Sequence, residues 1–285
     1  MAGIWVGDAF GERFFGHQAE VLRRITAREV PQGTWRFTDD TAMALSVRDS
    51  VLAGAGHIDP DVLVQLFAQR YHRDPVRGYG PGTHRFMSDL FGGMSWQFAA
   101  KGNFDGTGSF GNGAAMRVAP IGAYHFDDYT LAAEAADQSA AVTHMHPDGR
   151  AGAIAVAVAT AWFIRGGSNI AELFDTVLAH TPEGRTRLGI AQAAELPRGE
   201  SPPRAASVLG NGSAVSAQDT VPFTLWVAAR HLDNFEEAIW STVSGLGDRD
   251  TTCAIVGGML AARPGATLPP AWLAACEPLD ALPAG

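Results

Sequence analysis

The stretch "GRAGAIAVAVATAWFIRGG", residues 149–167, decides the fold class of this 285-residue chain. From Ala151 to Ile164 only Thr160 interrupts an apolar run rich in alanine. The run is shorter than the roughly 20 residues that a membrane-crossing helix needs. Its length and alanine content predict a helix buried in a protein core. Working outward, "DDTAMALSVRDSVLAG" (39–54), "LAAEAADQSAAVTHMHP" (131–147) and "QDTVPFTLWVAARHLDNFEEAIWSTVSG" (218–245) carry apolar residues at the same helical spacing. Strand-like alternation is hard to find. Glycine and proline punctuate the helical segments at "RGYGPGTH" (77–84), "GTGSFGNG" (106–113), "HPDGRAG" (146–152) and "GLGD" (245–248). The pattern predicts an all-α chain, one domain of many short to medium helices packed orthogonally over residues 1–285, with function in its loops. Residues 181–216, richer in Pro, Arg and Gly, read as a long surface connection with one weak helix, and the segment after Arg263 reads as a loose tail around one short helix.

Composition narrows the function classes. A chain that is 46% hydrophobic has enough apolar material for a large buried core. Cys253 and Cys276 are its only cysteines, which argues against a disulfide framework and a thiolate zinc site and suits a reducing interior, the cytoplasm. The start, "MAGIWVGDAFGERFFG", lacks the basic and apolar regions of a secretory signal. A net charge of −9 gives no global footprint for nucleic acid.

The chemistry is concentrated in two acidic stretches. "GLGDRDTTCAIVGG" (245–258) places Asp248 and Asp250 at the start of a helix, and "TDDT" (38–41) places Asp39 and Asp40 at the start of another. The bland reading is helix capping, where each charge complements the helix dipole by about 0.3–1 kcal/mol. Brought together, four carboxylates repel one another unless a cation neutralises them. Carboxylate and hydroxyl oxygens are hard ligands, so Asp39, Asp40, Asp248 and Asp250, with Thr38 and Thr251, suit two Mg²⁺ or Mn²⁺ ions. "GTGSFGNGAAMRVAPIG" (106–122) reads as an anion-binding glycine loop running into a helix at "AAMRVAP", although it fits neither a Walker A nor a dinucleotide fingerprint. In "THMHPDGRAG", His144 and His146 are too close in sequence to share a helix face, so one of them at most reaches a ligand. "DRDTT" echoes the Asp-x-Asp-x-Thr nucleophile motif of haloacid-dehalogenase-type phosphatases, but that motif follows a strand and here follows helical sequence.

These elements, in this order, resemble the ADP-ribosylglycohydrolase family. The resemblance runs through "GDAFG" (7–11), "FTDDTAM" (37–43), "RGYGPGT" (77–83), "GSFGNGAAMRVAPIG" (108–122), "TH" (143–144), "TVPFTLWVA" (220–228) and "GDRDTT" (247–252), nearly the whole chain. It implies an all-α fold, a binuclear Mg²⁺ or Mn²⁺ centre on Thr38, Asp39, Asp40, Asp248, Asp250 and Thr251, and hydrolysis of ADP-ribose from an acceptor. It places Asp39, Asp40 and Asp250 at the reacting centre, the diphosphate on Ser109, Gly111, Asn112 and Gly113, a ligand contact at His144, and stacking on adenine at Phe104 and Phe110.

The partners implied are ADP-ribose and ADP-ribosylated acceptors, with nucleic acid only as a modified substrate and no membrane. Three positions depart from the pattern. Arg249 stands where relatives have threonine, Leu246 where glycine is common, and Phe15 near the expected loop glutamate, with Glu12 as the candidate for that role and Glu20 on the other side. The alternative reading is a catalytically weak or inactive ADP-ribose-binding relative. The acceptor and the oligomeric state are not encoded in these motifs.

Overall fold

A computed structural model describes residues 1–102, 106–197 and 199–279. The order is α1 (Ala2–Glu12), α2 (Gln18–Thr26), α3 (Asp39–Ala53), α4 (Pro60–Arg73), α5 (Pro81–Phe91) and α6 (Trp96–Lys101). A 3₁₀ turn at Asn112–Ala114 precedes α7 (Ala119–Tyr124), α8 (Tyr129–Ala141) and α9 (Pro147–Ile164). Then come α10 (Ile170–His180), α11 (Arg185–Glu195), α12 (Pro202–Leu209), α13 (Ala217–Arg230), α14 (Phe235–Ser244), α15 (Arg249–Leu260) and α16 (Pro270–Ala275). Among the described residues there is no strand, only isolated bridges at Trp35–Cys276 and Gly111–Ser216. No helix among the described residues is long and apolar enough to cross a membrane.

The apolar run that set the fold class is α9, buried from Ala151 through Phe163 and surrounded by α7, α8, α10, α11, α13 and α15. A helix apolar on all sides must be enclosed by others. His146 caps it, its Nδ1 accepting from the Asp148 N–H at 3.1 Å, while Pro147 occupies the first turn, where its missing N–H costs nothing.

α1 and α15 approach each other closely. Gly3, Gly7 and Gly11 recur every four residues along one face of α1. A Cβ built on them would fall 2.0, 2.1 and 2.2 Å from the carbonyl oxygens of Gly257, Cys253 and Arg249 on α15. Only hydrogen fits there, so the two backbones touch. This contact brings Asp8 on α1 beside the amino end of α15. Beyond it, Phe10 stacks on Trp272 at 4.3 Å and meets Trp35 and Trp240 edge-on at 5.3 and 5.0 Å.

Three expectations need correction. Residues 181–216 carry two helices, α11 and α12, because alanine at helical spacing buries Ile190 and Ala193 in one and Ala205, Ala206 and Leu209 in the other. The segment 218–245 is helical as read, in two helices separated at residues 231–234, with Asn234 capping the second by accepting from the Glu237 N–H at 3.0 Å. The helix read as starting at "AAMRVAP" starts late in that segment; the chain turns first and α7 begins only at Ala119. The tail is pinned rather than loose. Trp272 is buried, the Trp35 N–H donates to Ala275 O at 2.8 Å, and the Glu277 N–H donates to Trp35 O at 2.9 Å. Glu277 Oε1 also accepts from the Phe37 N–H at 2.9 Å and from Arg77. The carboxy-terminal segment thereby fixes the chain immediately before Thr38.

Candidate active site

Three helix starts and one loop meet around a cavity of about 540 Å³. Asp39 and Asp40 open α3, while Asp248 and Asp250 flank the start of α15. Capping explains little of their placement. Thr38 caps α3, its hydroxyl accepting from the Asp40 N–H, and Asp248 makes no side-chain cap to α15. Asp248 Oδ2 instead accepts from Asn112 Nδ2 at 2.7 Å, which ties the glycine loop to the acidic cluster. Asn112 Nδ2 also donates to Thr220 Oγ1 at 3.1 Å. Asp40 Oδ2 lies 3.1 Å from Thr38 Oγ1 and accepts from Thr251 Oγ1 at 3.4 Å, so the two acidic stretches touch across more than two hundred residues of chain.

The cavity walls include Asp39, Asp40, Asp248, Asp250 and Thr251 on one side and Ser109, Phe110, Gly111, Asn112, Gly113 and His144 on the other. Thr38 stands behind them, buried. Glu12 does not line the cavity; it is exposed at the end of α1, near Asp248 and Arg249, and partial desolvation raises its carboxyl pKa. Phe104 lies outside the described residues. The loop "RGYGPGT" contributes Gly78 and residues 80–83 to the rim.

In the glycine loop, a Cβ on Gly111 would stand 3.2 Å from His144 Nε2, and one on Gly113 would stand 3.2 Å from His144 Cε1. Glycine lets the loop wrap the imidazole. Thr143 Oγ1 lies 2.7 Å from His144 Nδ1, and burial, aided by Arg117, pushes the imidazole pKa down to about 3. His144 is therefore a neutral wall of the loop.

Two residues that composition and spacing did not single out organise the cluster. Asp8 is fully buried and accepts from the Thr38 N–H (3.0 Å), the Thr38 hydroxyl (2.8 Å), the Thr41 N–H (3.0 Å) and the Thr41 hydroxyl. It is a cap supplied to α3 by another helix, satisfying amides that the helix leaves unpaired. Its signal in the sequence was a carboxylate between Gly7 and Ala9, in the apolar interior of a helix whose other acid, Glu12, stands at its end. Arg117 is also fully buried, with Nη2 donating to Ser139 O at 3.0 Å and Thr143 Oγ1 at 2.9 Å and its guanidinium 4.5 Å from the Phe67 ring centre. Burial lowers its pKa to about 9, partly offset by Asp39. An arginine inside an apolar loop segment carries no periodicity that would mark it.

Replacing Asp8 by alanine removes all four acceptor contacts and strands two buried amides. We expect a loss of about 3 kcal/mol or more in urea unfolding, with the amides at the start of α3 losing hydrogen-exchange protection first.

Electrostatics within the cluster are unbalanced. Burial pushes Asp8 up to about 6, and burial with repulsion from Asp8 and Asp248 pushes Asp39 up to about 7. Asp40 is raised well above the carboxylate range by burial and by Asp250, Asp8, Asp39 and Asp248, and Asp250 by burial, Asp248 and Asp8. Asp40 Oδ1 is buried with no hydrogen-bond partner. Oxygen donors that repel each other and a stranded carboxylate oxygen fit a hard divalent cation. Among the described residues no three His, Cys, Asp or Glu side chains already converge as a cage, so an ion held here would draw on threonine oxygens and on side-chain rotation as well.

The raised values predict a pH dependence without divalent ions. The folded state holds protons on these carboxyls more tightly than the unfolded chain, whose aspartates titrate near 4. The folded protein is therefore favoured at low pH and loses stability as pH rises from about 4 through about 7. In EDTA, the thermal midpoint is expected to be higher at pH 5.5 than at pH 8.

Comparison with known proteins bears on the family and the fold. The ADP-ribosylglycohydrolase family model matches residues 1–284. Human ADP-ribosylhydrolase ARH3 is 28% identical, with 97% of this chain and 88% of that protein aligned. An uncharacterised protein of Archaeoglobus fulgidus is 32% identical over 96% of this chain and 88% of its own. A solved structure titled "ADP-ribosylglycohydrolase-related protein complex" superposes with a TM-score of 0.67 at 25% identity, covering 96% of this chain and 89% of that one.

Proposed function

The chain belongs to the ADP-ribosylglycohydrolase family, and from that premise we propose that it hydrolyses the bond between C1″ of ADP-ribose and an acceptor, with two divalent ions, Mg²⁺ or Mn²⁺. The observation that carries the reading is the meeting of both acidic helix starts with the glycine loop in one cavity, through Asn112 and Asp248. Thr38, Asp39, Asp40, Asp248, Asp250 and Thr251 would hold the ions. Bound there, the ions supply positive charge to polarise the sugar and water oxygens.

The chain's own residues supply binding and orientation. The loop at Ser109, Gly111, Asn112 and Gly113 receives the diphosphate, with neutral His144 behind it and Phe110 offering a ring to the adenine. Asn112, bonded to Asp248, sets the distance between the diphosphate and the distal ribose. The water oxygen bonds to C1″, the C1″–acceptor bond breaks with its electron pair passing to the acceptor, and the acceptor leaves with a proton derived from that water. Carboxylates beside the ring stabilise the positive charge that builds on it.

A second reading, an ADP-ribose-binding relative without turnover, is favoured by one observation: Glu12 does not line the cavity. One experiment separates the two. Release of free ADP-ribose is measured from arginine-linked, serine-linked, O-acetyl and DNA-linked substrates with Mg²⁺, Mn²⁺ or EDTA. Release that EDTA abolishes supports the hydrolase, whereas tight ADP-ribose binding with no release from any substrate supports the reader.

A further inference from the structure

A second cavity, about 600 Å³, lies on the far side of Asp248 and shares Asp248 and Val215 with the first. Its charged walls are Asp248 and Arg249, and the rest, among them Gln18, Asn211, Ser213 and Phe15, are neutral. Four features make Arg249 the informative residue. It is the first residue of α15, where a positive charge opposes the helix dipole. It takes part in no ion pair among those of the described residues, and its Nε is buried without a hydrogen-bond partner. Its guanidinium carbon sits 4.4 Å from the centre of the Phe15 ring, which holds the head group over the cavity wall. Val215 and Leu246, both lining this cavity, have φ of +50° and +60°, strain of the kind that persists at ligand sites.

We propose that this cavity receives the acceptor and that Arg249 selects acceptors bearing an anionic group beside the scissile bond, while rejecting guanidinium groups. The inference rests on the reading of the first cavity as the ADP-ribose site. If the distal ribose lies against Asp248, that carboxylate is taken up by the ribose site, and the group on C1″ passes into the next space along, whose one cation, Arg249, has Asp250, Asp248 and Glu12 near it but in no ion pair with it. A cationic acceptor there meets like charge in a half-buried setting, which selects against it as effectively as a new contact selects for its rival. A single guanidinium with amide and hydroxyl neighbours matches one carboxylate or phosphate on a peptide. The chain's net charge of −9 opposes a polyanion.

The test uses the full chain and four peptides, each ADP-ribosylated on serine and differing only in the next residue: glutamate, phosphoserine, alanine or arginine. Affinities are measured by calorimetry in EDTA, each relative to free ADP-ribose on the same protein. Wild type is expected to bind the glutamate and phosphoserine peptides about tenfold more tightly than the arginine peptide. Arg249→Gln should reduce that ratio to within about twofold, Arg249→Lys should keep part of it, and Arg249→Glu should invert it. Glutamate against phosphoserine tells which anion is preferred. No preference in wild type, or a preference that survives Arg249→Gln, overturns the assignment. Tighter binding of ADP-ribosylated DNA than of either acidic peptide overturns the peptide acceptor. If free ADP-ribose does not bind wild type at all, it is the reading of the first cavity that falls.

Discussion

Alanine at Gly7 will cost this protein a large share of its stability, although it adds a single methyl group. That methyl would stand 2.1 Å from Cys253 O and 2.7 Å from its carbonyl carbon, and neither is a side chain that can rotate away. α1 and α15 would have to separate along their length, carrying Asp8 away from Thr38 and opening the Phe10–Trp272 stack. We expect about 3–5 kcal/mol of destabilisation by chemical denaturation, out of a total of about 5–15 kcal/mol for a typical domain. Gly82 is the control. It lies within α5 and a Cβ there meets nothing within 4 Å, so Gly82→Ala should be stabilising by about 0.5–1 kcal/mol. Equal effects at the two positions would show that α1 and α15 are not in backbone contact.

Asp40→Asn should separate stability from activity. The wild-type carboxylate is buried, repelled by Asp250, Asp8, Asp39 and Asp248, and has one oxygen without a partner. Removing its charge should raise the thermal midpoint in EDTA. In Mg²⁺ the order should reverse, because wild type gains stability from binding the ion in proportion to its affinity and the variant has lost a charged ligand. ADP-ribose release should fall by about a thousandfold, the scale of losing charge stabilisation at a reacting centre. Asp250→Ala should lose turnover to a similar degree while keeping its far-UV dichroism. Undiminished release by either variant would remove the acidic cluster from the reaction.

Much of this protein is legible as local pattern. Helical periodicity names α3, α8, α9 and α13, because a helix is held by bonds between residues four apart and its buried face is written at the same interval. Both acidic stretches and the glycine loop stand out because Asp-Asp, Asp-x-Asp and closely spaced glycines are conspicuous among alanine-rich helices. Pattern reading went wrong where burial overrides composition. The proline-rich stretch at 181–216 holds two helices, and the tail is anchored by Trp272 and Glu277.

Tertiary structure alone decided what the charged residues do. Asp8 and Glu12 lie on the same short helix, yet one is a buried cap for α3 and the other is exposed at the helix end. Nothing in the residue type separates them. Which face of α1 is buried depends on the glycine contact with α15, nearly 250 residues away in the chain. The bond from Asn112 to Asp248 and the unpaired state of Arg249 likewise follow from packing. The sequence by itself determined the helices, the acidic pairs and the loop, since each depends on near neighbours. The joining of those parts into one cavity belongs to the tertiary structure, because desolvation and repulsion arise only when distant groups are buried together.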